Sequence, residues 1–265
     1  MSIEISVQST KHSTPPRKVI YGGEKVGKST YAAQAPNPWF LPTEQGLSGL
    51  DAQMIVANDD EGNPKNRLET FGEFDAALTF CENNLDKFET LVIDSVDWLE
   101  SLIHAQIVAN DKYNNMAEAC GGYGKAYLEA ENWFRYILAR LDRINQQGKM
   151  IILIGHAKAV TFNDPLSEPY DIWEPKLHTT KKGTGMLEVM KEWADIIGFA
   201  EKEKRVRTTK ADETKGRAVD MNKRSLHLES TAGFIAGNRY GLPPKIDLTM
   251  AAFMDAFNNE EKAKK

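Results

Sequence analysis

The stretch "VIYGGEKVGKSTYAAQ", Val19 to Gln34, joins an apolar run to a Gly-Gly pair, two lysines and a Ser-Thr pair. The run "KVIYG" (18–22) is strand-like, and "GKSTYAAQA" (27–35) suits a helix. Between them, Gly22-Gly23-Glu24-Lys25-Val26-Gly27-Lys28-Ser29 fits G-x-x-x-x-G-K-[ST] without a mismatch, and Thr30 follows. Glycines in such a loop let backbone N–H groups turn inward around phosphate oxygens, and the helix start adds partial positive charge. Lys28 is placed to reach β- and γ-phosphates, and the Ser29 hydroxyl is a ligand type that Mg²⁺ takes beside them. The segment therefore predicts a strand–loop–helix unit that binds a nucleoside triphosphate, ATP, together with Mg²⁺.

Outward from this loop, short apolar runs alternate with helical patterns. "PWFLPTE" (38–44) reads as a second strand, "ETLVID" (89–94) as a short buried one, and "KMIILIG" (149–155) and "ADIIGFA" (194–200) as two more. "SVDWLESLIHAQIV" (95–108) puts Val96, Leu99, Ile103 and Ile107 on one helical face. A longer helix from Lys125 to Ile144 repeats Tyr127, Ala130, Phe134, Ile137, Leu141 and Ile144 at 3–4 spacing. Alternating strands and helices imply an α/β fold, a mostly parallel sheet covered on both faces. Residues 1–16 read as a flexible arm ending in Pro15-Pro16, 17–245 as the core, and 246–265 as a helical tail. Within the core, 201–230 reads as a charged β-hairpin turning near Asp212–Gly216.

Bulk composition narrows the function classes. The chain has 265 residues, enough for one medium domain with appendages, and 41% hydrophobic content supports a real core. A formal net charge of -5 advertises no global nucleic-acid binder, so local basic patches must carry that role. Cys81 and Cys120 form no metal-type spacing, the N-terminus lacks an apolar signal segment, and no run is long enough to span a bilayer. The expectation is a cytoplasmic protein with no membrane partner.

A P-loop hydrolase needs an acid near the metal and a base for water. Asp94 ends the strand "TLVID", where a carboxylate can hold a metal-bound water. The residue after it is Ser95, and Asp97 lies on the following helix, expected to point elsewhere. Glu44, at the end of the strand after the P-loop helix, is the preferred base, because parallel strands bring their carboxyl ends to one ligand-binding edge. In "ILIGHAK", His156 and Lys158 follow a buried strand to the same edge, and His156 is placed to hydrogen-bond the γ-phosphate.

With Glu44, Asp94 and His156 in place, the pattern resembles the RecA/DnaB-type branch of P-loop ATPases over roughly Lys18 to Tyr240. "IGHAK" is similar to the GH-x-x-K of RadA-like members. More closely, the chain resembles the phage nucleotide-binding ATPase family of RecA-like single-strand annealing proteins. That resemblance rests on "IYGGEKVGKST", "PNPWFLPTEQGLSGLD", "TLVIDSVDWLE", "EPYDIWEPKLH" and "NRYGLP". It implies an ATPase of phage-type DNA recombination or annealing, acting as a ring or filament in the host cytoplasm. It also implies single-stranded DNA and a single-strand DNA-binding protein as partners. In ring- or filament-forming relatives a Lys-x-Arg reaches a neighbour's ATP site. Here the positions are Gly237-Asn238-Arg239, so Arg239 is the implied trans-acting finger while the lysine is missing.

The same resemblance places DNA-binding loops after the Asp94 helix and after the sensor strand. "NDKYNNMAEACGGYGKAY" (110–127) carries tyrosines with Lys112 and Lys125. The 158–191 stretch combines Phe162, Tyr170 and Trp173 with Lys176, His178, Lys181 and Lys182. Aromatics stack on bases, each worth about 1–3 kcal/mol, while lysines pair with phosphates. Four acids, Asp164, Glu168, Asp171 and Glu174, interrupt that stretch, so the contact is assigned to "KLHTTKKGTG" (176–185); "KRVRTTK" (204–210) is a second basic patch. Two other readings share the P-loop. A small-molecule kinase is disfavoured by the lack of an Arg-rich lid segment, whereas an oligomeric motor or regulatory ATPase of replication or packaging stays open.

Overall fold

Strand β1 (Arg17–Gly22), which feeds the P-loop, is buried on both faces, with Val19, Ile20 and Tyr21 fully enclosed. In the computed structural model, residues 14–111, 113–163, 168–180, 183–209 and 212–263 are described, and side chains outside 204–222 and 260–263. β1 pairs with β5 (Met150–Phe162) on one side and β7 (Ile196–Thr209) on the other, both in parallel. Beyond β5 lie β4 (Thr90–Asp94), β2 (Pro38–Pro42) and the short β3 (Gln53–Met54), again parallel. Beyond β7 the direction reverses into β8 (Asp212–His227) and β10 (Lys245–Asp247). The path is β10-β8-β7-β1-β5-β4-β2-β3, with β6 (Tyr170–Pro175) pairing β5 and β9 (Gly237–Asn238) pairing β7, both antiparallel.

Period-2 alternation divides the core into two layers. Val19 and Tyr21 of β1 join Leu41, Ile93, Ile151 and Leu153 under α2 (Phe71–Glu82), α3 (Val96–Asp111), α4 (Lys125–Gln146) and α5 (Met186–Trp193). Ile20 joins Phe40, Val92, Ile152 and Ile154 under α1 (Lys28–Ala33) and α6 (Met250–Ala263). Strands covered on both faces read as continuous apolar runs, as "VIY", "LVI" and "IILI" do. The mostly parallel α/β sheet flanked by helices is thus the architecture adopted, with the charged hairpin attached. Among the described residues no helix is long and apolar enough to cross a membrane.

Three boundaries differ from the sequence expectation. β2 stops at Pro42, before Glu44: proline brings no N–H to the ladder, and Thr43 and Glu44 turn to donate their N–H groups to the Asp94 carbonyl at 2.8 and 3.3 Å. The hairpin forms, but Asp212–Gly216 already belongs to β8, with register shifts between Lys202 and Lys204 and between Thr208 and Thr209. The 158–191 stretch is largely ordered structure rather than loop. β5 continues to Phe162 and folds back as β6, and α5 begins at Met186.

Candidate active site

The register of the parallel strands assembles one polar edge. Gly22 aligns with His156 on β5, Asp94 with Ile154, and Pro42 with Asp94, so the ends of β1, β2 and β4 converge beside the middle of β5. Gly22 must be glycine because a Cβ there would stand 2.3 Å from the Ala200 carbonyl oxygen on β7. The loop then turns through Lys25 (φ 57) and Gly27 (φ 107), left-handed conformations of the kind that point successive N–H groups into a concavity. Lys28 is buried, and its ammonium donates to the Gly22 and Gly23 carbonyls at 3.1 and 2.8 Å. Burial pulls its pKa below the ordinary lysine value, against the raising influence of Asp94, Glu44 and Asp97. These residues line a cleft of about 730 Å³ that also takes in Thr30, Glu44, His156, Lys176 and Arg224.

Ser29 Oγ donates to Asp94 Oδ2 at 2.6 Å, while Asp94 Oδ1 is buried with no partner among the described residues. Burial pushes the Asp94 pKa up despite Ser29 and Lys28. A hydroxyl and a carboxylate with an unsatisfied oxygen, beside a phosphate cradle, are a donor set that suits Mg²⁺, which takes few protein ligands and completes its shell with phosphate and water.

Glu44 lines the same cleft, its Oε1 3.8 Å from His156 Nε2. Burial, together with the charges of Asp94 and Asp97, raises its pKa to about 7 against the lowering influence of His156 and Lys28. Asp97 does not point elsewhere, as the sequence reading had it. It is buried at the same edge, accepting from His156 Nδ1 at 2.9 Å and from the His156 backbone N–H at 3.1 Å. Burial alone would raise the Asp97 pKa, but the hydrogen bonds and charge of His156 hold it below the usual range. In turn Asp97 raises His156 above the ordinary imidazole value. The pair fixes the ring so that Nε2 faces Glu44 and the cleft. Below it, the Thr43 hydroxyl donates to the Ser95 carbonyl at 2.7 Å and accepts from the Ser95 N–H at 2.8 Å, locking the β2 and β4 ends together.

A family model for the AAA domain matches residues 14–240. The chain belongs to this AAA-domain family. Its fold is that of a P-loop ATPase, and the family implies a nucleotide and typically Mg²⁺ at the cleft. Among solved structures, a KaiC-like protein from the hyperthermophilic archaeon Pyrococcus horikoshii OT3 is similar at 12% identity and TM-score 0.39, over 83% of this chain and 80% of that one. No curated protein matches.

The other expected site residues of this AAA-domain chain are spread more widely. Arg239 lies near the start of β7, at the sheet edge opposite the P-loop, where it pairs with Asp195 at 3.2 Å and donates to the Glu192 carbonyl at 2.8 Å. Lys176 lines the cleft and an adjoining pocket with Asp97, Trp98, Glu100 and His178. The His178 ring stacks on Tyr127 at 4.2 Å, and its backbone N–H donates to Glu100 at 2.8 Å. Lys112, Lys181 and Lys182 lie outside the described residues, as do the side chains of "KRVRTTK". Two of the four interrupting acids are committed within the β5–β6 arm, Glu174 to Lys158 at 3.3 Å and Asp171 to Thr161 at 2.9 Å. Sequence reasoning missed Arg224, for which no local signal exists. It also misplaced Asp97, although the i,i+3 spacing from Asp94 returns a first-turn residue to the strand end.

Proposed function

We propose that the chain binds and hydrolyses ATP and uses the cycle on single-stranded DNA, in recombination or strand annealing of the phage type, as a homo-oligomer. The observation that carries the catalytic part is Glu44, a half-buried carboxylate with a pKa near 7, facing one cleft with Lys28, the Ser29–Asp94 pair and His156. Lys28 exchanges its two carbonyl partners for phosphate oxygens when ATP enters. Glu44 accepts a proton from a water as its oxygen bonds the γ-phosphorus. The bond from that phosphorus to the β–γ bridging oxygen breaks, and ADP leaves with the bridging oxygen. A carboxylate with a pKa near the working pH is suited to this role. His156, held by Asp97, presents Nε2 as a donor for the γ-phosphate. Mg²⁺, held by Ser29 and Asp94, would neutralise charge on the β- and γ-phosphates.

The oligomer reading draws on Arg239. About five strand residues, roughly 16 Å, separate its level, beside Asp195, from that of Gly22, beside Ala200. That distance from its own cleft supports a role for Arg239 at a neighbour's. The DNA reading draws on Lys176 at the cleft mouth and on the β5–β6 arm, which starts from His156 and carries half-exposed Phe162 and Trp173. Turnover measured with and without a single-stranded oligonucleotide, on wild type and Lys28→Ala, tests the whole. Stimulation that fades steeply with salt is expected, with no turnover in Lys28→Ala. Turnover indifferent to the oligonucleotide at low salt would remove the DNA part and leave the ATPase.

A further inference from the structure

We propose that Arg224 is a phosphate-anchoring residue acting within its own chain: from β8 its guanidinium closes over the P-loop and pairs with the α/β portion of a bound nucleoside di- or triphosphate. The inference rests on the nucleotide reading above and adds a residue and a direction to it. Gly27 supplies the first observation. A Cβ built there would meet Arg224 Nη1 at 2.7 Å and its Cδ and Cζ at 3.6 Å, so the guanidinium lies against the last glycine of the loop. Arg224 lines the phosphate cleft, and it also lines a second groove with Gly27, Thr30, Gln34 and Leu248, standing on the wall common to both.

Its charge is uncommitted. Among the described residues the Arg224 guanidinium makes no hydrogen bond or ion pair, whereas the side chains of its neighbours Lys223 and Lys245 are paired with Asp247 and Glu203. The backbone beneath it is fixed by pairing with Lys202 and by the Leu248 N–H, which donates to the Arg224 carbonyl at 3.1 Å. A planar fork of N–H donors held at a phosphate loop matches phosphate oxygens in pairs.

Sheet order decides which phosphates it meets. The catalytic groups Asp94 and Glu44 follow β4 and β2, on one side of β1, whereas Arg224 comes from β8, beyond β7 on the other side. It therefore approaches the phosphate chain from the end away from Glu44. The groove along Thr30, Gln34 and Leu248 continues from that end and offers the nucleoside its way out.

Calorimetry of wild type, Arg224→Ala and Arg224→Lys with MgATP, MgADP and inorganic tripolyphosphate tests this. Arg224→Ala is expected to weaken all three by one common factor, roughly ten- to a hundredfold, and Arg224→Lys to recover part of the loss. The ligand-free melting temperature should not move, because the guanidinium has no partner to lose among the described residues. Arg224→Ala binding both nucleotides as tightly as wild type overturns the proposal alone. A loss confined to ATP moves the contact to the γ-phosphate, and a loss spared by tripolyphosphate moves it to the nucleoside; either overturns it. Wild type binding neither nucleotide overturns the nucleotide reading, and this proposal with it.

Discussion

Replacing Lys18 with methionine should make the protein more stable, and more so at acid pH. Lys18 is fully buried on β1, with its ammonium 3.4 Å from Tyr31 Oη, 3.6 Å from Met250 Sδ and 3.9 Å from the Phe253 ring centroid. No carboxylate pairs with it among the described residues. Burial lowers its pKa from the ordinary 10.5 to about 7. That drop is worth ~5 kcal/mol against the charged form, and any return from the cation–π contact with Phe253 belongs inside that balance, not on top of it. The unfolded chain holds this proton up to about pH 10.5 while the folded chain releases it earlier. The penalty is therefore complete below pH 7 and shrinks as pH rises toward 10.5. Methionine keeps the length and the contacts with Tyr31 and Phe253 without the charge. Urea unfolding at pH 6 should show Lys18→Met more stable by about 5 kcal/mol, with well over half of that gain gone by pH 9.5. A variant less stable than wild type at pH 6, or a gain that ignores pH, would refute the argument.

Glu44→Gln should keep MgATP affinity within a few-fold and cut turnover by roughly 10²–10⁴; equilibrium binding beside a steady-state assay separates the two effects. In wild type, turnover should rise with pH through about 7 as Glu44 loses its proton, the direction required of a base. Asp97→Asn removes the partner that raises His156, so the alkaline limb of the pH–turnover profile should move to lower pH, read as a shifted optimum. Arg140→Ala should lower stability by about 3 kcal/mol in urea, because the Arg140 side chain is nearly fully enclosed and holds Glu82, Asp75 and Thr79 of α2 against α4.

Local patterns carried much of this molecule. The P-loop, Asp94 and the apolar faces of α3 and α4 are set by chain direction and by spacing within a few residues, so a single window contains them. α2 had a readable start as well, since Thr70 caps Glu73 N–H at 3.2 Å and Glu73 reaches back to the Glu69 N–H, a capping-box relation. Phe71, Phe74 and Leu78 follow with no strand before them, which left that signal isolated. β6 was hidden for a different reason. "YDIWEP" alternates exposed and covered positions against β5, and its acids read as a break in a basic loop although Glu174 and Asp171 satisfy Lys158 and Thr161 across the arm.

What escaped the sequence depends on register between distant strands. Arg224 reaches Gly27 only because β8 folds back on β7 and β7 lies directly beside β1, three strands whose pairing no local window reveals. Asp97 meets His156 only because β4 and β5 pair so that Asp94 stands level with Ile154, two residues short of His156. A one-residue slip of β5 against β4 would turn His156 to the other face and separate it from both Asp97 and Glu44. The fully buried runs of β4 and β5 give little register information of their own. The clamp between Thr43 and Ser95 ties β2 to β4. The backbone bond from Met150 to Glu89 at 2.9 Å ties β4 to β5. Catalytic geometry at this edge therefore rests on residues that never touch the nucleotide.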